Sequence, residues 1–142
     1  MMTLAEIRAF LDREFPQIAA EGRYTVEALR PRGARLRAAY HENQIRPGGT
    51  ISGPTMMTLA DVALYVTVMA AIGPVALAVT TNLNINFLRK PAPRDLLAEC
   101  RLLKLGKRLA VGEVTIFSDG EEEPVAHVTG TYSIPPASEL FG

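Results

Sequence analysis

The chain has 142 residues, and Lys+Arg and Asp+Glu balance at 15 each, so no global charge draws it to nucleic acid or to an anionic membrane surface. Hydrophobic residues make up 48%, which excludes a disordered chain and suits one globular domain over 1–142. Cys100 is the only cysteine, which excludes an intramolecular disulfide and a cysteine-only metal site. The expectation is a reducing, cytoplasmic compartment, no metal, no cofactor, and Cys100 as a small apolar filler in a strand.

At the start of the chain, Leu4, Ile7, Leu11 and Phe15 recur at helical spacing, with Thr3 as N-cap and Glu6 three residues on. The spacing predicts an amphipathic helix over 3–14, broken by Pro16 and Gly22. Glu6, Asp12 and Glu14 interrupt any apolar run there, so no signal peptide is expected. Residues 23–30 and 34–41 read as a hairpin about Pro31-Arg32-Gly33, with Leu36 opposite in parity to Arg35 and Arg37. A loop over 42–51 contains Pro47, Gly48 and Gly49.

Ser52 is a good N-cap, and Pro54 stands near the first helical position, where its missing N–H costs least. The helix it opens runs to about Ala71, is apolar almost all round and ends at Gly73-Pro74. Residues 62–79 are the most apolar stretch. Thr67, Gly73 and Pro74 interrupt it, so a buried helix running into a strand explains it better than a membrane span.

The rest is strand after strand. In 76–88, Leu83, Ile85 and Phe87 alternate with Asn82, Asn84 and Asn86. If the apolar set packs on the helix, the asparagines line an outer face suited to solvent or a wet subunit interface. Residues 96–105 and 109–118 form a pair about Gly106-Lys107-Arg108. Asp119-Gly120 turns the chain into a last strand near 124–134, ahead of a loose tail from 135. The order predicts an α+β domain, one antiparallel sheet around one long helix: a helix and linker over 1–22, a core over 23–134 and a tail over 135–142.

Two residues on the long helix invite chemistry. Asp61 is an acidic residue among Leu59, Ala60, Val62 and Ala63, and a buried unpaired carboxylate needs a partner or a task. It is either a base or nucleophile, or a satisfied structural Asp at a subunit contact. Gly53 follows the N-cap, where a free N–H at the positive end of the helix suits an oxyanion. A flexible residue ahead of a helix is the plainer alternative.

Three stretches in order, GGTISGPTMMTLADVALY (48–65), TTNLNINFLRKPAP (80–93) and LLKLGKRLAVGEVTIFSDG (102–120), resemble the hotdog-fold acyl-CoA thioesterases, and within them the phenylacetate-pathway (PaaI-like) branch. The resemblance covers about 23–134. It implies a sheet wrapped around the helix and a homodimer joined sheet edge to sheet edge, often doubled to a homotetramer. It also implies an active site between subunits and an acyl-CoA substrate, with coenzyme A as part of that substrate. It implies Asp61 as the catalytic carboxylate, activating water or attacking the carbonyl carbon, and the Gly53 N–H as oxyanion donor. Thr80 stands where some relatives carry a water-orienting serine. Ser52-Gly53-Pro54 replaces the usual histidine-glycine-glycine, so Ser52 can cap and position but cannot act as an imidazole. Arg46 replaces a common asparagine and could meet a substrate carboxylate or a phosphate. Arg89-Lys90 and Lys107-Arg108 match basic spots near the coenzyme A site, although basic turn residues are also commonly just solvated.

Two other readings compete. A hydratase or dehydratase on this fold wants a histidine paired with an acid, and neither His41 nor His127 lies in a matching motif. A non-catalytic acyl-CoA binding protein is consistent with the replaced histidine. Phosphate cradles, zinc spacings and serine elbows are absent.

Overall fold

The computed structural model describes residues 1–19, 23–40, 45–46, 50–73 and 78–136. The first helix, α1 (Leu4–Glu14), starts where the sequence places it. The Thr3 hydroxyl accepts the Glu6 N–H at 3.1 Å and the Glu6 carboxylate accepts the Thr3 N–H at 3.0 Å, a reciprocal capping box. Ile7, Phe10 and Leu11 are its buried stripe. Pro16 does more than break the pattern: it opens a second short helix, α2 (Pro16–Ala19), at the helical position that tolerates a missing N–H.

The first hairpin, β1 (Tyr24–Arg30) and β2 (Gly33–Ala38), turns on Pro31-Arg32, and the left-handed φ of 57° falls on Arg32 rather than on the glycine. Gly33 instead opens β2, where a Cβ would stand 3.1 Å from the Cys100 carbonyl oxygen. β2 ends at Ala38, short of the expected 41, and His41 lies outside the described residues. The expected loop over 42–51 contains a small two-stranded sheet of its own, β3 (Ile45–Arg46) paired with β4 (Thr50–Ile51). The tail beyond 136, like Pro47 to Gly49, lies outside the described residues.

The central helix is α3 (Gly53–Ile72). Ser52 caps it by accepting the Thr55 N–H at 3.4 Å, and Gly73, at φ 97°, closes it by donating to the Met69 carbonyl at 2.9 Å. By length and composition α3 could cross a membrane. In this fold the sheet takes up its apolar surface, and Leu59, Ala63, Val66 and Met69 are fully buried.

The sheet adds β5 (Val79–Phe87), β6 (Leu96–Leu105), β7 (Leu109–Ser118) and β8 (Ala126–Ser133). Its order is β1-β2-β6-β7-β8-β5, with every neighbour antiparallel. This is the α+β hotdog arrangement. Alternation decides the faces. Leu36, Ala98, Ile116 and Ala126 form one cross-strand row, all fully buried toward the helix. On the outward parity, Arg35 and Arg30 hold Glu99, Arg37 bridges Glu27, Asp95 and Asp119, and Glu113 takes both Arg101 and His127.

In the middle of the sheet Gly112 of β7 and Gly130 of β8 stand opposite each other. Leu64 of α3 fills the space above them: a Cβ on Gly130 would be 2.5 Å from one Leu64 methyl, and one on Gly112 2.7 Å from the other. Only glycine allows the helix so close.

The two sheet edges differ. On β1, Arg8 of α1 donates to the Val26 carbonyl at 2.6 Å. On β5, which among the described residues pairs with β8 alone, Leu83 and Ile85 are half-buried and the three asparagines are exposed. Val79 (56%), Phe87 (52%) and Leu88 (53%) are exposed large apolar side chains along or beside that edge. Phe87 keeps the expected parity, paired with Ala126 and lying over the start of α3, but at the sheet edge its ring stays half exposed.

Candidate active site

Asp61 sits in the third turn of α3, and β5 runs back past it. Thr80, near the start of β5, donates its hydroxyl to Asp61 Oδ1 at 2.6 Å. Tyr132, near the end of β8 and cross-paired with Thr80, donates to the same oxygen at 2.8 Å and lies 3.1 Å from the Asp61 backbone carbonyl. Among the described residues no hydrogen bond reaches Oδ2 and no cation pairs with the carboxylate. Tyr65, one turn further along α3, closes the inner side, with its ring 6.3 Å from Tyr132 and edge-on to Phe15 at 4.9 Å. Burial above all, and then the charge of Asp61, push the Tyr132 phenol far above its ordinary value, so it stays a proton donor.

Tyr132 is the member that the sequence reading missed. Its signal was present: the β8 alternation puts it on the inward parity with Gly130 and Val128, and a buried tyrosine hydroxyl needs a partner. The helix offers one acid in reach.

A second group forms about the start of α3. Gly53 is the first helical residue, and its N–H meets no acceptor among the described residues. The Phe87 ring lies across it. Ile51, Gly53, Met56, Phe87, Arg89, Lys90 and Pro91 line a cleft of about 390 Å³. Ser52 is occupied as a cap, its hydroxyl 2.8 Å from that of Thr55. Arg89 is partly engaged, donating to the Pro124 carbonyl at 3.2 Å and pairing with Glu123. Lys90 is exposed at the cleft mouth.

The sequence candidates thus fall into two groups. Thr80 joins Asp61; Ser52, Arg89 and Lys90 join Gly53. Lys107 and Arg108 sit in an exposed turn at the Thr80 end of the sheet, since Leu109 and Val79 both pair with Ser133. Arg46 lies on β3 opposite Thr50. Gly53 and Asp61 are eight residues apart on one straight helix, about 12 Å at 1.5 Å per residue. One thioester carbonyl cannot meet both within a single chain.

The other reactive groups lie elsewhere. His127 does pair with an acid, Glu113 at 3.1 Å, but on the outer face of the sheet, away from Asp61. Burial pushes the Cys100 thiol up to about 12, which leaves it inert. Among the described residues no group of three or more His, Cys, Asp or Glu is placed to hold a metal.

The sequence profile of the thioesterase superfamily matches residues 48–125, more than half of the chain, and takes in Ser52, Gly53, Asp61, Thr80, Arg89 and Lys90. The chain belongs to the hotdog thioesterase superfamily. Among its thioesterase-superfamily relatives of known structure, a protein described as a thioesterase from Silicibacter sp. TM1040 is 49% identical. Its TM-score is 0.87, over 96% of this chain and 94% of that one. A protein named as an esterase from Halobacterium salinarum is 34% identical over 110 residues, 70% of this chain and 72% of that protein. The phenylacetic acid degradation protein of Thermus thermophilus, at 24% identity, shares the fold with a TM-score of 0.72 over 84% of this chain and 99% of that one. Hydrolase chemistry is thus common to the family match and the relatives' names.

Proposed function

We propose that this protein is an acyl-CoA thioesterase of the PaaI-like branch that works as a homodimer, or a homotetramer of two such dimers, in the cytoplasm. The observation that carries the reading is Asp61: a partly buried carboxylate on an apolar helix, without a cation beside it among the described residues. A carboxylate with no cation beside it and one oxygen left unbonded can take the proton of an attacking water.

The second requirement of hydrolysis, a donor for the oxyanion, is the Gly53 N–H at the positive end of α3. About 12 Å of helix separates the two within a chain, so the donor comes from a second copy. The open β5 edge supports that arrangement. β5 runs from the Asp61 end, at Thr80, to the Gly53 end, at Phe87. Antiparallel pairing of two β5 edges about a two-fold axis sets the Asp61 end of one copy beside the Gly53 end of the other. It also covers Val79, Phe87 and Leu88.

In this reading water attacks the thioester carbonyl carbon while Asp61 takes its proton. The partner's Gly53 N–H holds the oxygen as it gains charge. The carbon–sulfur bond then breaks, and Asp61 returns the proton to the departing coenzyme A thiolate. Thr80, whose hydroxyl proton goes to Asp61, keeps lone pairs to orient the water. Lys90, and to a lesser degree the Glu123-paired Arg89, attract coenzyme A phosphates to the cleft beside Gly53, with Lys107, Arg108 and Arg46 as further cations. Met56 lines the cleft with an adaptable apolar surface. No metal and no separate cofactor takes part.

The test is Asp61→Asn, assayed against a panel of acyl-CoAs with free thiol as readout. Turnover falls by about 10²–10⁴-fold, the range of general base catalysis. Affinity for a non-hydrolysable acyl-CoA analogue and the thermal midpoint are retained. A variant that hydrolyses at the wild-type rate overturns the mechanism. The use of the Ser52 hydroxyl as a cap favours the alternative, a non-catalytic acyl-CoA binding protein. Binding without turnover by both proteins decides for it.

A further inference from the structure

Among the described residues two side chains donate to the Asp61 carboxylate, Thr80 of β5 and Tyr132 of β8. The phenol of Tyr132 comes from β8, the strand beside that of Thr80, is almost completely buried, and spends its single hydroxyl on a carboxylate oxygen that already accepts from Thr80. If the need were only to satisfy a half-buried acid, the simplest arrangement would give each oxygen one donor. Here both donors converge on Oδ1, and among the described residues none reaches Oδ2.

Rotation about the Cβ–Cγ bond sweeps Oδ1 along an arc, and a single flexible donor can follow it over part of that arc. Two donors from different strands, β5 and β8, remove that freedom, because the plane that serves both is fixed. They also make the oxygens unequal: Oδ1 is saturated with donated protons, and the proton-accepting capacity rests on Oδ2. We propose that Tyr132 is a positioning residue for the hydrolytic base: with Thr80 it pins Oδ1 of Asp61, fixes the plane of the carboxylate, and leaves Oδ2 as the oxygen that takes the proton from water. The proposal rests on the reading of Asp61 as the base.

Hydrogen bonds donated to the charged form also hold a carboxylate ionised. The titratable groups about Asp61 are Tyr132 on β8 and Tyr65 on α3, and burial raises both phenols, so neither adds charge in the acid range. Removal of the Tyr132 hydroxyl therefore leaves Thr80 alone to hold the charged form. Loss of one of the two donors thus favours the protonated acid.

The experiment compares wild-type protein with Tyr132→Phe, which keeps the ring, and Thr80→Val, which keeps the shape. The Asp61 side-chain carboxyl is followed by carbon NMR, its resonance assigned by its loss in Asp61→Asn, and kcat/KM is measured against pH. The expected result in either variant is an Asp61 midpoint moved up, an acid limb of kcat/KM moved up by the same amount, and a fall in kcat with KM little changed. A merely structural tyrosine would lower the thermal midpoint and leave both pH midpoints in place. An Asp61 midpoint unchanged in Tyr132→Phe, or in Thr80→Val should the first variant fail to fold, overturns the proposal. If the midpoint moves but Asp61→Asn still hydrolyses at the wild-type rate, the pin stands and the base reading falls, and the positioning role falls with it.

Discussion

Phe87 lies across Gly53 so closely that a Cβ built on the glycine would stand 3.1 Å from the tip of the phenylalanine ring. The strand end thus roofs the helix start, and the glycine serves two needs at once: it leaves room for the ring and keeps the N–H accessible. Two substitutions separate these needs. Gly53→Ala keeps the N–H but displaces the half-exposed ring, so it raises KM more than it lowers kcat, the pattern of lost binding. Gly53→Pro removes the donor. Proline is tolerated at the first helical position, and Ser52 already has the extended backbone, ψ 149°, that a following proline demands. It lowers kcat by about 10²–10³-fold, the cost of one oxyanion donor, with the helix content by circular dichroism preserved. Equal losses in the two variants would mean that the ring, and not the N–H, is what matters there.

A site shared between copies makes a sharper forecast. Asp61→Asn and Gly53→Pro subunits, each inactive alone, are co-expressed with different tags. Heterodimers then hold one site with both lesions and one with neither. A random mixture recovers about a quarter of wild-type activity, since half of the dimers carry one intact site of two. Sedimentation of the same sample gives at least a dimer at micromolar concentration. If the purified heterodimer is inactive, the two groups do not meet across the β5 edge.

The glycine pair under Leu64 predicts a stability effect with no catalytic residue involved. A methyl at Gly130 would stand 2.5 Å from a Leu64 methyl and 3.1 Å from one of Leu83. Gly130→Ala therefore overpacks the core and costs about 1–3 kcal/mol, measured by urea unfolding. Adding Leu64→Ala recovers part of that loss, so the two changes are not additive. Additive losses would show that the contact is not what limits residue 130.

Period and punctuation made most of the fold legible. The two strands 96–105 and 109–118 emerge as read because Gly106 and Asp119-Gly120 bound them, although an irregularity between Leu102 and Lys104 breaks the alternation of the first. Ser52 and Gly73 bound the long helix for the same reason. The small β3 and β4 pair was not legible, because two-residue strands have no period to read. Nor was the contact of Phe87 with Gly53, because alternation gives the face of a side chain and not the helix terminus that lies beneath it. In the site, Asp61 announced itself as a lone charge in an apolar helix. Tyr132 did not, because a tyrosine in an alternating strand looks like core until the third dimension brings it to the acid. The division of the candidates into two groups follows from the rise of the α-helix, which was available from the sequence, combined with the direction of β5, which was not.

The dent made by Gly112 and Gly130 has a further effect. A helix that is apolar nearly all round has little to tell it where to stop along a sheet; by greasiness alone, one turn up or down is nearly as good. Leu64 seated in its socket acts as a detent, the one feature that clicks. Asp61 lies three residues before Leu64 on the helix, and Tyr132 lies two residues past Gly130 on the strand. The same notch that locates Leu64 therefore locates the acid against its phenol. A slip of one turn would carry Asp61 about 5.4 Å along the sheet and out of reach. The geometry of the polar cluster is thus set by a packing contact that contains no polar atom.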